Sequence, residues 1–164
     1  MNEVYVSDVA EFKVDNSDVK VYLSRIMDLY NSEIVSFSIS TSPIVRIVCI
    51  SLEKAIEKLP KQHNLMIHTD QGFQYQHGNW TQLLEQNNIK QSISRRENCL
   101  DNSPMENFFG LLKHEMFYGE SFNSYKDIEE EIHEYINYYN KYRIKTKLKG
   151  MSPEQFRKHT LELA

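Results

Sequence analysis

The first forty residues alternate polar and apolar side chains with a period of two, which is typical of β-strands. In "EVYVSDVAEF", Val4, Val6 and Asp8 share one face of the first strand. The segment "DNSD" (residues 15–18) is a turn signal, and a second strand follows in "VKVYLSRIMDLY". A third strand is predicted in "EIVSFSIS", and "DLYNSE" before it has the chemistry of a hairpin turn. The chain therefore begins with three antiparallel strands.

After residue 43 the period lengthens. Apolar residues recur at intervals of three and four over residues 44–59, which predicts an amphipathic helix that ends before Pro60. Short strands are predicted in "LMIH" and "IKQSI", with a helix between them from about Trp80 to Asn87. We expect residues 92–102 to be polar and mobile. Two further helices are expected, from about Pro104 to Phe117 and from about Lys126 to Asn140.

This order of elements predicts the fold class. It indicates an α/β domain with a mixed, five-stranded sheet flanked by helices. A hairpin meander followed by βαβ units fits a ribonuclease H-like architecture.

Composition adds limits to this picture. The chain has 164 residues, of which 40% are hydrophobic and 26% charged, as in one ordinary globular domain covering residues 1–164. No apolar run approaches the ~20 residues of a membrane span, and no signal peptide opens the chain. Cys49 and Cys99 are too few for a disulfide framework, so we expect a cytoplasmic, reducing environment without membrane contact.

The net charge is −4, which argues against simple nucleic-acid binding, but the charge is unevenly distributed. Residues 141–158 carry seven cationic side chains against the single carboxylate of Glu154. We treat residues 141–164 as a basic C-terminal segment that binds phosphates. The simpler alternative is a solvated surface with a few salt bridges. The acidic run "DIEEE" (residues 127–131) is interpreted as the exposed face of a helix near its N-terminus, where negative charge is favoured.

Three carboxylates stand at positions where chemistry is plausible, although each has a simpler structural explanation. Asp8 lies on an apolar strand face, where a carboxylate is costly unless it is paired or binds a cation, and it could also cap a turn. Asp70 follows a buried strand, the usual place for ligand binding in α/β sheets, and it could also be a turn residue before Gly72. Glu106 completes the capping box "SPME" at the start of a helix.

The spacing favours the chemical interpretation. Two strand carboxylates, with a helix carboxylate after 35 intervening residues, match the acidic triad of DDE polynucleotidyl transferases. The sequence resembles the integrase catalytic core of bacterial insertion-sequence transposases of the insertion-sequence-three group. The resemblance rests on "SDVAEF", "YLSRIMDLYNSEIVSFSIS", "HTDQGFQY", "SRRENCLDNSPMENFFGLLKHE" and "YINYYNKYRIKTKLKGMSPEQF", which cover nearly the whole chain in the family's order.

The resemblance implies that Asp8, Asp70 and Glu106 form the catalytic triad and bind two Mg²⁺ or Mn²⁺ ions. It also implies DNA strand cleavage followed by 3′-OH strand transfer, with element ends and target DNA as partners and a homo-oligomer in the active complex. Two alternatives stay open: a ribonuclease H-like nuclease that cuts without joining, and a DNA-binding remnant that has lost activity. Because no DNA-recognition segment precedes Asp8, we expect the chain to be a catalytic fragment of a larger protein.

Cations are the expected DNA contacts. On the helix that begins near residue 104, Glu106, Phe109 and Lys113 would share one face, which places Lys113 to hold a phosphate. The other expected contacts precede that helix or lie in the basic segment: Arg95, Arg96, Lys141, Arg143, Lys145, Lys147 and Lys149.

Several further positions bear on the resemblance. We assign structural roles to Asp28 and His68. The chain departs from the family pattern mildly at Ser7, Val9 and Ala10. It departs more strongly at Glu97, where glycine is usual, and this adds a negative charge to the loop before Glu106.

Overall fold

The structure is a computed structural model that describes residues 3–42, 44–94, 103–117 and 119–164, with the backbone alone described in residues 103–107. Its five strands are β1 (Val4–Lys13), β2 (Lys20–Asp28), β3 (Ile34–Ser40), β4 (Met66–Thr69) and β5 (Lys90–Ile93). They form a single sheet in the order β3-β2-β1-β4-β5. The first three strands are antiparallel, whereas β4 is parallel to both β1 and β5. The predicted mixed, five-stranded sheet is confirmed.

In the described part of the chain, five α-helices accompany the sheet: α1 (Ile44–Ile56), α2 (Gly78–Gln86), α3 (Ser103–Leu112), α4 (Tyr125–Lys141) and α5 (Pro153–Leu163). The first four correspond to predicted helices. The predicted helix over residues 104–117 has two parts, because α3 is followed by a π-helix over Lys113–Phe117. The predicted mobile stretch over residues 92–102 lies, from residue 95 on, outside the described residues, while residues 92 and 93 belong to β5.

Helix α5 was not predicted, although its start carries a local signal. Ser152 accepts a hydrogen bond from the backbone N–H of Gln155, and the Gln155 side chain accepts one from the backbone N–H of Ser152. Such a capping box satisfies two backbone donors at a helix start. Farther along the helix, Arg157 forms an ion pair with Glu33 at 2.8 Å, which ties α5 to the turn between β2 and β3.

Each face of the sheet is covered by its own hydrophobic core. On one face, residues of β1 and β2 such as Val6 and Leu23 pack with Phe108 of α3 and Ile132 of α4. On the other face, Tyr5 and Ile67 pack with helix residues that include Leu52, Ala55, Trp80 and Leu84. Because both faces are buried, a charged side chain on the central strands needs a specific partner.

Helix α4 explains the acidic run. Ser124 caps the helix by accepting a hydrogen bond from the Asp127 N–H at 3.2 Å. Ile128, Ile132, Tyr135, Ile136 and Tyr139 are buried at helical spacing, so the carboxylates between them face outward. The interpretation of "DIEEE" as an exposed helix face near an N-terminus is confirmed.

Within the described part of the chain, no helix is both long and apolar enough to cross a membrane.

Candidate active site

Two of the three predicted acids belong to neighbouring parallel segments: Asp8 lies in β1, and Asp70 is the residue after β4. Val6 of β1 is in register with His68 of β4, and two further residues along each strand lead to Asp8 and Asp70. Parallel strands lie about 4.8 Å apart, and residues in register point to the same face of the sheet. The register therefore brings the two carboxylates together at the carboxyl end of β4.

Backbone hydrogen bonds orient both carboxylates. Oδ1 of Asp8 accepts the N–H of Val9 at 2.8 Å, and Oδ1 of Asp70 accepts the N–H of Gly72 at 2.7 Å. Both acidic residues are half-buried. Asp70 is thus the turn residue that the simpler explanation required, and it comes directly after the last residue of β4.

Tyr75 lies within electrostatic reach of both acids. Its hydroxyl lies 3.0 Å from the Ser7 hydroxyl and is fully buried. Burial raises the pKa of Tyr75 well above its ordinary value, and the charges of Asp8 and Asp70 raise it further. The phenol therefore stays neutral, within electrostatic reach of both carboxylates.

The third predicted acid, Glu106, lies in α3. The described side chains of that helix, Phe108 and Leu112, pack in the same core as Val6 of β1. The helix therefore covers the sheet face that carries Asp8. The Glu106 side chain and the predicted capping box at residues 103–106 lie outside the described side chains. Arg95, Arg96 and Glu97 lie outside the described residues altogether.

His68 has the structural contact expected of it. Its Nδ1 lies 3.2 Å from the Ser92 hydroxyl on the neighbouring strand β5. Its Nε2 is buried without a hydrogen-bond partner among the described residues. Among those same residues, no three His, Cys, Asp or Glu side chains form a group that could hold a metal ion.

A buried arginine next to Asp8 was missed by the sequence analysis. Arg25 of β2 is directly opposite Asp8 in the antiparallel pair and has no exposed surface. Desolvation lowers the pKa of Arg25 to about 10, while the charge of Asp8 acts in the opposite direction. The guanidinium is therefore charged at neutral pH. The only sequence signal was a charged residue inside an otherwise apolar strand.

An exposed aromatic side chain close to Asp70 was also missed. Phe73 begins the 3₁₀ turn over Phe73–Tyr75 and is 65% exposed. Its hydrophobic surface is open to solvent three residues after the acid.

Lys113 lies just after the regular α-helix and beside an aromatic ring of β1. It is the first residue of the π-helix, and its Nζ lies 5.5 Å from the centre of the Phe12 ring on β1. Phe12 is four positions after Asp8, so the two side chains lie on the same face of β1. Lys113 therefore lies over the strand that carries Asp8, and its position relative to the Glu106 side chain stays a prediction.

The predicted DNA-binding cations of the basic segment fall into two groups. Arg143 forms an ion pair with Glu115 at 2.8 Å, and Lys145 donates to the Tyr139 hydroxyl. Burial, together with the charges of neighbouring cations, lowers the pKa of Lys145 to about 8. The other group is exposed and, among the described side chains, forms no ion pair; it comprises Lys141, Lys147 and Lys149.

Asp28 performs the structural role expected of it. It is 4% exposed, and its Oδ1 accepts the N–H of Tyr30 at 2.9 Å. Its backbone also forms hydrogen bonds with Glu33 and Ser32, which closes the turn between β2 and β3. This carboxylate stabilises a turn, away from the pair formed by Asp8 and Asp70.

Comparison with known proteins decides the family. A sequence model described as "Integrase core domain" matches residues 1–99, and a second model with the same description matches residues 106–161. The chain belongs to the integrase core domain family. The two matches together include all three predicted acids, so the resemblance drawn from the motifs is confirmed.

Curated relatives of this integrase core carry names from transposition. The chain is 43% identical to InsK of insertion sequence element IS150 from Escherichia coli K12, over 97% of this chain and 56% of that protein. It is 43% identical to a transposase-like protein of Haemophilus influenzae, over 98% of this chain and 73% of that protein. It is 30% identical to transposase InsF for IS3A from E. coli K12, over 98% and 55%. The chain thus spans about half the length of InsK and InsF.

Solved structures share the fold. The HTLV-2 integrase catalytic core domain in complex with magnesium superposes with a TM-score of 0.72 at 17% identity, covering 94% of this chain and 95% of that one. The catalytic domain of Mos1 mariner transposase gives a TM-score of 0.65 at 14% identity, over 83% and 70%. These similarities establish a ribonuclease H-like fold for the integrase core.

Proposed function

We propose that this integrase core is the catalytic domain of a DDE transposase, which cuts DNA strands and joins 3′-OH ends to target DNA. The observation that carries the proposal is the register that aligns Asp8 with Asp70, under the helix that contains Glu106. The transposase names of the curated relatives support the same reaction.

The donor set suits a hard divalent cation. Carboxylate oxygens are the ligands that Mg²⁺ and Mn²⁺ prefer. Asp8 and Asp70 supply two carboxylates at adjacent positions, each oriented by a backbone N–H. In this proposal Glu106 supplies the third ligand. When bound, such ions would activate the attacking oxygen and stabilise the leaving oxygen of an in-line displacement.

The chain's own residues prepare the site for that chemistry. The turn at Gly72 fixes the Asp70 carboxylate at the end of β4, and the strand pair fixes Asp8 beside it. The neutral phenol of Tyr75 adds no competing negative charge. Lys113 and the exposed lysines of the basic segment provide positive charge for the DNA backbone. Phosphate contacts of this kind position DNA without reading its sequence.

The active complex contains more than one copy of the chain in this proposal. The HTLV-2 integrase core was solved in trimeric and dimeric forms, which supports assembly of cores with this fold. An element also has two ends, and in this proposal a second core processes the second end.

The test is cleavage and joining of labelled DNA ends with Mg²⁺ or Mn²⁺, by a protein that contains this chain within the full length of its InsK-like relatives. We expect nicked ends and strand-transfer products. Asp8→Asn, Asp70→Asn and Glu106→Gln should each lose both products and keep the fold. Cleavage without joining would instead identify a nuclease, and an unchanged Asp70→Asn variant would overturn the proposed site.

Metal binding offers a second measurement that needs no DNA. A cation that binds only the folded chain adds about 2.7 kcal/mol of stability at a hundredfold excess over its dissociation constant. Mn²⁺ should therefore raise the melting temperature of the parent chain. The Asp70→Asn variant should lose most of that rise. Equal responses of parent and variant would place the metal elsewhere.

A further inference from the structure

Arg25 is a fully buried cation on the sheet face that carries Asp8. Its neighbours on that face of β2, Leu23 and Met27, are buried and apolar. Arginine keeps its charge in almost all protein environments, so burying it requires charge compensation. A cation at this position costs stability unless it has a defined role.

Two elements of the proposed site face the Arg25 guanidinium. On the sheet, Arg25 is the direct cross-strand partner of Asp8, and such partners have Cβ atoms about 4.5–5.5 Å apart. From the helix, the rings of Phe109 and Phe108 lie 3.9 Å and 4.5 Å from its Cζ. Phe109 is one helical turn after Glu106. Arg25 thus touches the helix that carries one acid and lies beside another.

Among the described side chains, a second cation lies near Arg25. Lys145 lies within electrostatic reach of Arg25, and its Nζ packs 4.7 Å from the centre of the Tyr139 ring. Tyr139 in turn packs edge-on against Phe108 at 4.8 Å. Lys145 is itself a cation and therefore cannot compensate the charge of Arg25. The carboxylate of Asp8, the cross-strand partner of Arg25, can do so.

We infer that Arg25 is a built-in counter-charge of the acidic site: a positioning residue that partly neutralises Asp8 before metal binds, holds α3 on the sheet, and thereby sets the site's affinity for divalent cations. The inference rests on the proposed function. Without a cation, converging carboxylates repel one another, and a fixed positive charge beside Asp8 offsets part of that repulsion. The same charge repels an incoming dication, so the site is assembled in advance at the expense of metal affinity.

Mn²⁺ affinity of the 164-residue chain tests this directly, by calorimetric titration of parent and variants. Arg25→Met keeps an unbranched apolar side chain between the rings but removes the charge, and we expect it to bind Mn²⁺ about tenfold more tightly. Arg25→Lys keeps the charge and should bind like the parent. Lys20→Met is the matched control, because Lys20 is on the same strand but is exposed and paired with Glu11. Equal affinities of parent and Arg25→Met would overturn the inference.

A second measurement uses melting temperatures in EDTA, so it does not depend on metal. Asp8→Asn leaves Arg25 without its carboxylate and should lower the melting temperature, whereas Asp70→Asn removes only a repelling charge and should leave it unchanged or higher. The double variant Asp8→Asn/Arg25→Met should regain part of the loss. Equal shifts for Asp8→Asn and Asp70→Asn would overturn the inference, even if Arg25→Met does not fold.

The two measurements also separate this inference from the proposed function. A parent chain that fails to bind Mn²⁺ contradicts the proposed metal site, and the EDTA melts then decide alone whether Arg25 compensates Asp8. If the parent binds Mn²⁺ and Arg25→Met binds it with the same affinity, the proposed function stands and the inference about Arg25 is wrong.

Discussion

The acidic pair and the basic segment are two concentrations of charge in this integrase core, and their charges have different surroundings in the fold. Asp8 and Asp70 come from distant parts of the sequence, and strand register brings their carboxylates together. The cations of residues 141–158 are close in sequence, but the fold gives two of them carboxylate partners on other elements and leaves Lys141, Lys147 and Lys149 exposed. Arg143 pairs with Glu115, and Arg157 pairs with Glu33.

This contrast indicates that a charged residue contributes most to ligand binding where the fold leaves its charge incompletely neutralised. Carboxylates forced together gain stability from an added cation. Cations that already have carboxylate partners gain much less from DNA phosphates, because binding would have to break the existing pairs. The predictions below test this difference, from the largest expected effect to the smallest.

Loss of an acid at the pair should affect activity, whereas loss of a buried acid elsewhere should affect stability. We expect Asp70→Asn to lower DNA cleavage at least 10²- to 10³-fold, the scale for removing one group that stabilises a transition state. Asp28→Asn is the control, and it should cost about 1–3 kcal/mol of stability by weakening a buried hydrogen bond. Cleavage rates and urea unfolding of both variants check this. The reverse pattern would show that the site has been assigned to the wrong acid.

The exposed lysines should contribute to DNA binding more than their ion-paired neighbour. Replacing Lys141, Lys147 and Lys149 together by alanine should weaken DNA binding about tenfold or more, and should reduce the slope of log affinity against log salt by roughly 0.9 per lost phosphate contact. Arg143→Ala should change that slope little. Fluorescence anisotropy titrations across a range of salt concentrations compare them. A larger slope change for Arg143→Ala than for the triple variant would contradict the division of these cations into exposed and ion-paired groups.

Lys113 should make a single phosphate contact near the acids. Lys113→Ala is expected to reduce the same salt slope by about one unit, because one cation is removed from the strand face that carries Asp8. Lys126→Ala serves as the comparison, since Lys126 is an exposed residue of α4 paired with Glu130 at 3.8 Å. Identical slopes for the two variants would remove the case for Lys113 as a DNA contact.

The internal pair between Glu115 and Arg143 should contribute a small, pH-dependent stability. The hydrogen bond from Arg143 lowers the pKa of Glu115 below its ordinary value of 4.5. The contribution is therefore complete above about pH 4.5 and is lost as the pH falls through the lower, folded-state pKa. Since both side chains are partly exposed, we expect Glu115→Gln to cost at most about 1 kcal/mol at pH 7.

Urea unfolding at pH 7 and at pH 3 measures that difference. The gap between parent and Glu115→Gln should narrow at pH 3. Glu130→Gln is the control, because Glu130 forms only the exposed pair with Lys126 and should show a smaller gap at pH 7. A gap for Glu115→Gln that widens on acidification would contradict the assignment.

Local patterns predicted most of the secondary structure because periodicity is a property of neighbouring residues. The period of two in the first forty residues and the spacing of buried residues in α4 are both found in the structure. Local patterns did not lead to α5, although Ser152 and Gln155 form a capping box at its start. They also did not predict the π-helix that begins at Lys113, because nothing in the sequence marks the change from α-helix to π-helix.

The sequence alone determined the order of the strands along the chain, the helix spacing, and the positions of Asp8 and Asp70 relative to strands. Only the tertiary structure decided which charges meet. The cross-strand pairing of Asp8 with Arg25 depends on the β1–β2 register, and the pairing of Glu115 with Arg143 joins residues 28 positions apart. Burial and ion pairing are set by contacts between elements, so a charged residue in the sequence does not reveal whether the folded chain will neutralise it or leave it free to bind a ligand.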